Sequence, residues 1–243
     1  MFAIDHVARF TPPITFPFAS PLHSHVPVDL STEQNAPRPK IRIVGLLGGV
    51  ASGKSYVASL LGELGAAVLD ADRAGHEVLE EPEVIAAARA RWGSAVFSAD
   101  GSIDRRAVGR IVFVDSPQGR HELEFLEGMT HPRIGTRLLA QVEAANGRGV
   151  PLAVLDAAVM RKAGWDKFCD KIVMIDAPQE VRLARARSRG WTEAEFRARE
   201  SAQESLDEKR QLADFVIDNS GPSEATRAEV QRLWPKLIGH ESR

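Results

Sequence analysis

The chain has one cysteine, Cys169, in 243 residues. An intrachain disulfide is therefore excluded, and the composition suits a reducing, cytoplasmic compartment. Cys169 itself reads as a small buried hydrophobe. Long apolar runs are also missing. None approaches the roughly 20 residues that a membrane-spanning helix needs, so no membrane partner is expected. Charge of one sign is not in excess: the formal net charge is −2, which leaves no electrostatic footprint for nucleic acid. No repeat of fixed period occurs. What remains is an ordinary soluble composition, 44% hydrophobic and 26% charged, with enough apolar content for a sizeable core.

Proline is unevenly spread. Residues 1–39 carry it at positions 12, 13, 17, 21, 27, 37 and 39. Proline denies a segment both helix and central strand, so this stretch reads as a disordered or extended tail. Its apolar residues are cut by the prolines, which argues against a secretory signal. From Lys40 onward, short apolar runs alternate with amphipathic segments. Strands are expected at Ile41 to Leu47, Ala67 to Leu69, Leu152 to Leu155, Lys171 to Ile175 and Phe215 to Ile217. Helices are expected from Lys54 to Leu64, through most of 73–92 and 105–145, after Pro178, and from Glu224 to Leu237, with a turn at 98–102. Alternation of this kind predicts a three-layer α/β/α fold on a parallel five-stranded sheet.

The segment Gly48-Gly49-Val50-Ala51-Ser52-Gly53-Lys54-Ser55 fits the pattern G-x-x-x-x-G-K-[ST]. Glycines let such a loop curl so that successive N–H groups face phosphate oxygens. The helix beginning near Lys54 aims its positive end at the same place. Lys54 would bridge the β- and γ-phosphates and Ser55 would ligate Mg²⁺. A strand before and a helix after supply the context that the motif demands. The loop specifies a nucleoside triphosphate, but not the acceptor. The Asn-Lys-x-Asp segment with which GTP switches read guanine does not occur in the sequence.

Two further features bear on the acceptor. Asp70 and Asp72 stand where the second strand ends, and ligands of open α/β sheets bind beyond the carboxyl ends of strands. From chemistry alone Asp72 has two readings: a group that accepts or orients the attacking hydroxyl, or a helix N-cap. Arg182, Arg185 and Arg189 lie at spacings of three and four, one face of a helix, and a second charged segment follows. With a triphosphate loop present, this reads as a lid over about 182–206 that closes over the nucleotide, with Arg185 and Arg189 facing the phosphates. Without it, the same charges would read as a solvated surface.

Taken in order, "GLLGGVASGKS", "VLDADRAGHEV", "GSIDRRAVGRIVF", "LEGMTHPRI" and "ADFVIDNSG" resemble the dephospho-CoA kinases, P-loop kinases of the nucleoside monophosphate kinase type. The resemblance runs from about Ile41 to Leu237. It implies transfer of the ATP γ-phosphate to the 3′-hydroxyl of dephospho-CoA, the last step of coenzyme A biosynthesis, with Mg²⁺. It implies one kinase domain over 40–238, made of a core (40–72 and 150–238), a helical acceptor-binding insertion (73–149) and the lid. Asp72 matches the family's catalytic aspartate. Lys54 and Arg185 join it as catalytic groups. The loop residues from Gly48 to Ser55, with Tyr56, Arg185, Arg189 and Asn219, match the ATP site. Arg105 and His131, with Asp72, match the acceptor site, although His131 also reads as a buried or capped histidine. Two departures stand out. Lys162 occupies a place where the family usually has glutamate, putting a positive charge at the expected rim of the acceptor cleft. Tyr56 follows the loop serine where threonine is common. Against this reading stand another small-molecule kinase of the same fold and an ATP-binding paralogue that has lost phosphoryl transfer.

Overall fold

In the computed structural model, residues 41–157 and 159–239 are described, and the expected tail at 1–39 lies outside the described residues. Five strands form the sheet: β1 (Arg42–Gly48), β2 (Ala67–Leu69), β3 (Leu152–Leu155), β4 (Lys171–Asp176) and β5 (Phe215–Asp218). Their order is β2-β3-β1-β4-β5, and each neighbouring pair is parallel. The apolar runs are continuous because both sheet faces are covered. In β1, Val44 and Leu46 enter one core and Ile43 and Leu47 the other. Leu152 and Val154 likewise oppose Ala153 and Leu155 in β3, and Val173 and Ile175 oppose Met174 in β4.

Helices α1 (Lys54–Glu63) and α9 (Ser223–Leu237) cover the first face through Val57, Leu61, Val230 and Leu237. The second is covered by α2 (Ala71–Leu79), α3 (Pro82–Trp92) and α5 (Pro117–Gly147), through Val78, Val84, Leu138 and Val142. The three-layer expectation holds. Between β2 and β3 the chain is helical, as expected, with α4 (Arg105–Val112) following a turn closed by Ser98 N–H donating to the Ser102 carbonyl at 2.9 Å.

The mainly helical stretch expected over 105–145 is two helices. Phe113 ends α4, and Ser116 starts α5 by accepting from Gly119 N–H at 3.0 Å. The turn is tight: a Cβ on Gly119 would lie 2.0 Å from the Val114 carbonyl oxygen. By contrast, α5 continues through Pro132. Proline removes one backbone donor there. In the same stretch Arg133 Nη1 donates to the Met129 carbonyl and Thr130 Oγ1 to the Leu126 carbonyl, each at 2.8 Å. The remaining helices, α6 (Gln179–Ser188), α7 (Glu193–Ser201) and α8 (Leu206–Gln211), follow β4. Sequence periodicity missed α8, a six-residue helix too short to show a period.

The insertion is held by a buried carboxylate. Glu122, on α5, is 6% exposed. It accepts from Arg91 Nε and Nη2 at 2.8 and 2.9 Å, from Trp92 Nε1 at 2.8 Å and from Gln118. These bonds, Arg91's first, hold its carboxyl down at about 2, against an ordinary 4.5. The stabilisation is therefore present above about pH 4.5 and is lost as pH falls toward 2. Glu122→Gln is expected to destabilise the protein by about 2 kcal/mol at neutral pH, because a charge-assisted set becomes neutral. Urea midpoints of the two proteins should converge as pH falls through that window. A constant gap would show that the carboxylate's charge is not what holds α3 to α5.

Candidate active site

The loop from Gly48 to Ser55 joins β1 to α1. Gly53 is the N-cap of α1 at φ 98° and offers no side-chain cap, so the first-turn N–H groups stay open to an anion. Side chains from later in the chain tie the loop's carbonyls. Asn219 Nδ2 donates to the Ser52 carbonyl at 2.7 Å, and Arg185 Nη1 donates to the same oxygen at 3.2 Å. Arg182 Nη1 donates to the Val50 carbonyl at 3.4 Å. Within the loop, Ser52 N–H donates to the Gly49 carbonyl at 3.2 Å. Ser52 Oγ is buried and has no hydrogen-bond partner among the described residues.

The sheet order decides what meets the loop. Because β3 lies directly beside β1, with Gly45 in register with Leu155, the residue after β3 comes next to the start of α1. That residue is Asp156, and Ser55 Oγ donates to its Oδ2 at 2.6 Å. Sequence reading placed Asp156 only as the end of a strand. An apolar strand closing on aspartate was the available signal, but its proximity to Ser55 depends on strand order. Lys54 is partly buried, and its ammonium pKa is lowered first by that burial. Asp156 opposes the shift, and Arg189, the C-cap of α6, adds to it.

A cleft of about 550 Å³ opens from this point, lined by Lys54, Ser55, Asp72 and Asp156 on the sheet side and by Arg105 and His131 from the insertion. The cap reading of Asp72 falls to its neighbour. Asp70 is the N-cap of α2 and accepts from Arg73 N–H at 2.8 Å, while Asp72 sits exposed in the first turn, on the cleft. Arg105 contacts Nε2 of His76, a cleft residue that the sequence did not single out. His131 stacks edge-on against Trp165, with centroids 5.7 Å apart, and burial lowers its pKa. Other expected residues lie outside the cleft lining. Arg185 has both ends of its guanidinium on carbonyls, those of Ser52 and Asn219. Asn219 is 3% exposed beneath the loop, its Oδ1 accepting from Thr226. Tyr56 packs beside α9 and donates to the Ser223 carbonyl at 3.3 Å. Lys162, expected as a bare charge on the rim, is paired with Glu127 at 2.6 Å.

Comparison with known proteins agrees with this geometry. Residues 42–225 match the family model described as dephospho-CoA kinase. The chain belongs to the dephospho-CoA kinase family. It is 40% identical over 203 residues to the dephospho-CoA kinase of Symbiobacterium thermophilum, covering 83% of each chain. To that of Anaeromyxobacter dehalogenans it is 37% identical over 205 residues, covering 84% of this chain and 95% of the other. A crystal structure from Thermus thermophilus superposes with a TM-score of 0.69 at 32% identity, covering 82% of this chain and 99% of that one. In this chain only glycine can close the phosphate loop at position 53. A Cβ there would meet Asn219 Nδ2 at 2.1 Å, in a backbone conformation that side chains rarely adopt. Strain of about 1–3 kcal/mol is expected for Gly53→Ala, enough to weaken ATP binding about tenfold or more. Calorimetric titration with ATP checks this, and unchanged affinity would show that the loop tolerates the side chain.

Proposed function

We propose that this chain transfers the γ-phosphate of ATP to the 3′-hydroxyl of dephospho-CoA, giving CoA. The observation that carries the reading is the single cleft onto which the phosphate lysine Lys54 and the uncapped carboxylate of Asp72 both open. Phosphoryl transfer needs little covalent chemistry from a protein; positioning and charge stabilisation do most of it. Asp72 is assigned to orient the acceptor hydroxyl and take its proton. Lys54 is assigned to the phosphate oxygens, with Arg189 adding positive charge nearby. Arg185 and Asn219, through the bonds described, support a bracing role that keeps the loop in its binding shape.

The donor set also suits a magnesium ion. Ser55 Oγ and Asp156 Oδ2 are hard oxygens 2.6 Å apart. Mg²⁺ favours such donors and completes its shell with water and phosphate oxygens. Bound there, it would neutralise charge on the β- and γ-phosphates. For the acceptor, Arg105 offers a guanidinium suited to a phosphate group. Ile103, Val108, Val112, Phe113 and Leu126 give the cleft an apolar wall, which suits a pantetheine arm that a nucleoside monophosphate lacks. Lys162 does not argue for an idle paralogue, because Glu127 neutralises it and it does not line the cleft. Nor is a membrane role suggested by the helices: among the described residues none is long and apolar enough to cross a bilayer.

The test is purified protein with Mg²⁺, ATP and dephospho-CoA, following CoA by mass. CoA should form. Asp72→Asn should lower kcat about 10²–10⁴-fold and leave ATP affinity intact. Absence of CoA from the native sequence would overturn the acceptor, and near-normal turnover by folded Asp72→Asn would overturn its role.

A further inference from the structure

Lys209, on α8, is a lysine that the mechanism above does not use. It is 6% exposed. Its Nζ donates to the Gln203 side-chain oxygen at 2.8 Å and, over a long 3.4 Å, to the carbonyl of Gly48, the first residue of the phosphate loop. It forms no ion pair among the described residues. Its surroundings are cationic. Burial lowers its pKa first; Lys54 adds to that, as do Arg161 and Arg182, while Glu204 opposes. Glu204 is itself held by Arg161 at 2.7 Å. Lys54, Lys209 and Arg161 line one small cavity of about 20 Å³ against Gly48.

A purely structural lysine does not belong in such a place. A buried ammonium is costly unless paired, and replacing it with an apolar side chain usually stabilises a fold. Two ammonium groups converging beside one loop make sense when an anion is to come between them. On the reading proposed above, the loop's own ligand supplies that anion. We infer that Lys209 is a second phosphate-binding lysine, placed to engage the γ-phosphate of ATP from α8 while Lys54 engages it from α1. Lys209 also explains why α8 must dock at the loop. Its Gly48 bond is weak enough to be exchanged for a phosphate oxygen, which would couple the docking of the segment from Gln203 to Lys209 to the presence of a γ-phosphate.

The test compares ATP with ADP. Glutamine at this position can still donate to the oxygens of Gly48 and Gln203, but it carries no charge. Lys209→Gln should weaken Mg²⁺–ATP binding about tenfold or more by calorimetry, the loss of one charge-assisted bond. ADP affinity should stay within about twofold, and Lys209→Arg should recover most of the loss. CoA formation by Lys209→Gln should fall about 10²-fold. Lys209→Met, the second neutral variant, should give the same ATP-selective loss with no fall in melting temperature. ATP and ADP affinities falling together, or native turnover in Lys209→Gln, would overturn the inference. The binding comparison uses no acceptor, so it decides the role of Lys209 even where the dephospho-CoA reading fails.

Discussion

The hydrogen bond from Asn219 to the Ser52 carbonyl, 2.7 Å long, is the constraint on which the rest of the site depends. It joins the end of the fifth strand to the loop after the first, across the carboxyl edge of the sheet. It also leaves no room for a side chain at Gly53. Arg185 doubles the bond, and Thr226 on α9 orients the amide that makes it. A loop of small residues has little conformational preference of its own. Its shape is therefore imposed by donors that arrive about 130 to 170 residues later in the chain. Phosphate affinity in such a loop is a property of the whole core, because the open N–H groups face outward only when the carbonyls are held from behind.

Strand order supplies the second part. The chain leaves β1, crosses to β2 and returns to β3, which inserts between them. This is the kind of position at which open parallel sheets bind ligands. Three strand ends then converge: the phosphate loop from β1, Asp72 just beyond β2, and Asp156 just beyond β3. The helical insertion leaves from the carboxyl end of β2, so its first helix, α2, begins at that same edge. Phosphate loop, carboxylates and acceptor wall share one cleft as a result of topology.

Much of this was legible in the sequence, for specific reasons. Central strands buried on both faces write themselves as unbroken apolar runs, the two edge strands show as shorter apolar runs, and all five were placed within a residue or so. The phosphate loop is a contiguous motif, and its chemistry can be read from residue type and spacing. What could not be read was whatever depends on contact between distant segments. Asp156 was visible as a strand end but not as the partner of Ser55, since adjacency of β1 and β3 is not written in either strand. Arg185 and Asn219 were expected at the nucleotide, and the geometry shows both bonded to the phosphate loop's backbone at Ser52, a contact that spacing does not reveal. Arginine spacing on a helix says which face the side chains share, but not what that face meets. The break at Phe113 to Ser116 was hidden inside a long helical pattern, while Pro132, a local breaker on paper, lies within α5.

Charge balance around the cleft follows the same division between pattern and contact. Read alone, Lys162 is a positive charge where the family usually has a negative one. In the folded chain Glu127, one turn before His131 on α5, sits 2.6 Å away and cancels it. Both charges act on His131 in opposite directions, so burial remains the main influence on that ring. The cations near the phosphate loop are treated differently. Arg182 is matched by Glu200 at 2.5 Å and stacks over Phe196, which makes it part of the packing between α6 and α7. Lys54 and Lys209 make no ion pair among the described residues, and burial is the first influence on each, opposed by Asp156 at Lys54 and by Glu204 at Lys209. Two buried ammonium groups without an ion pair beside one loop stand to gain when a polyanion binds there.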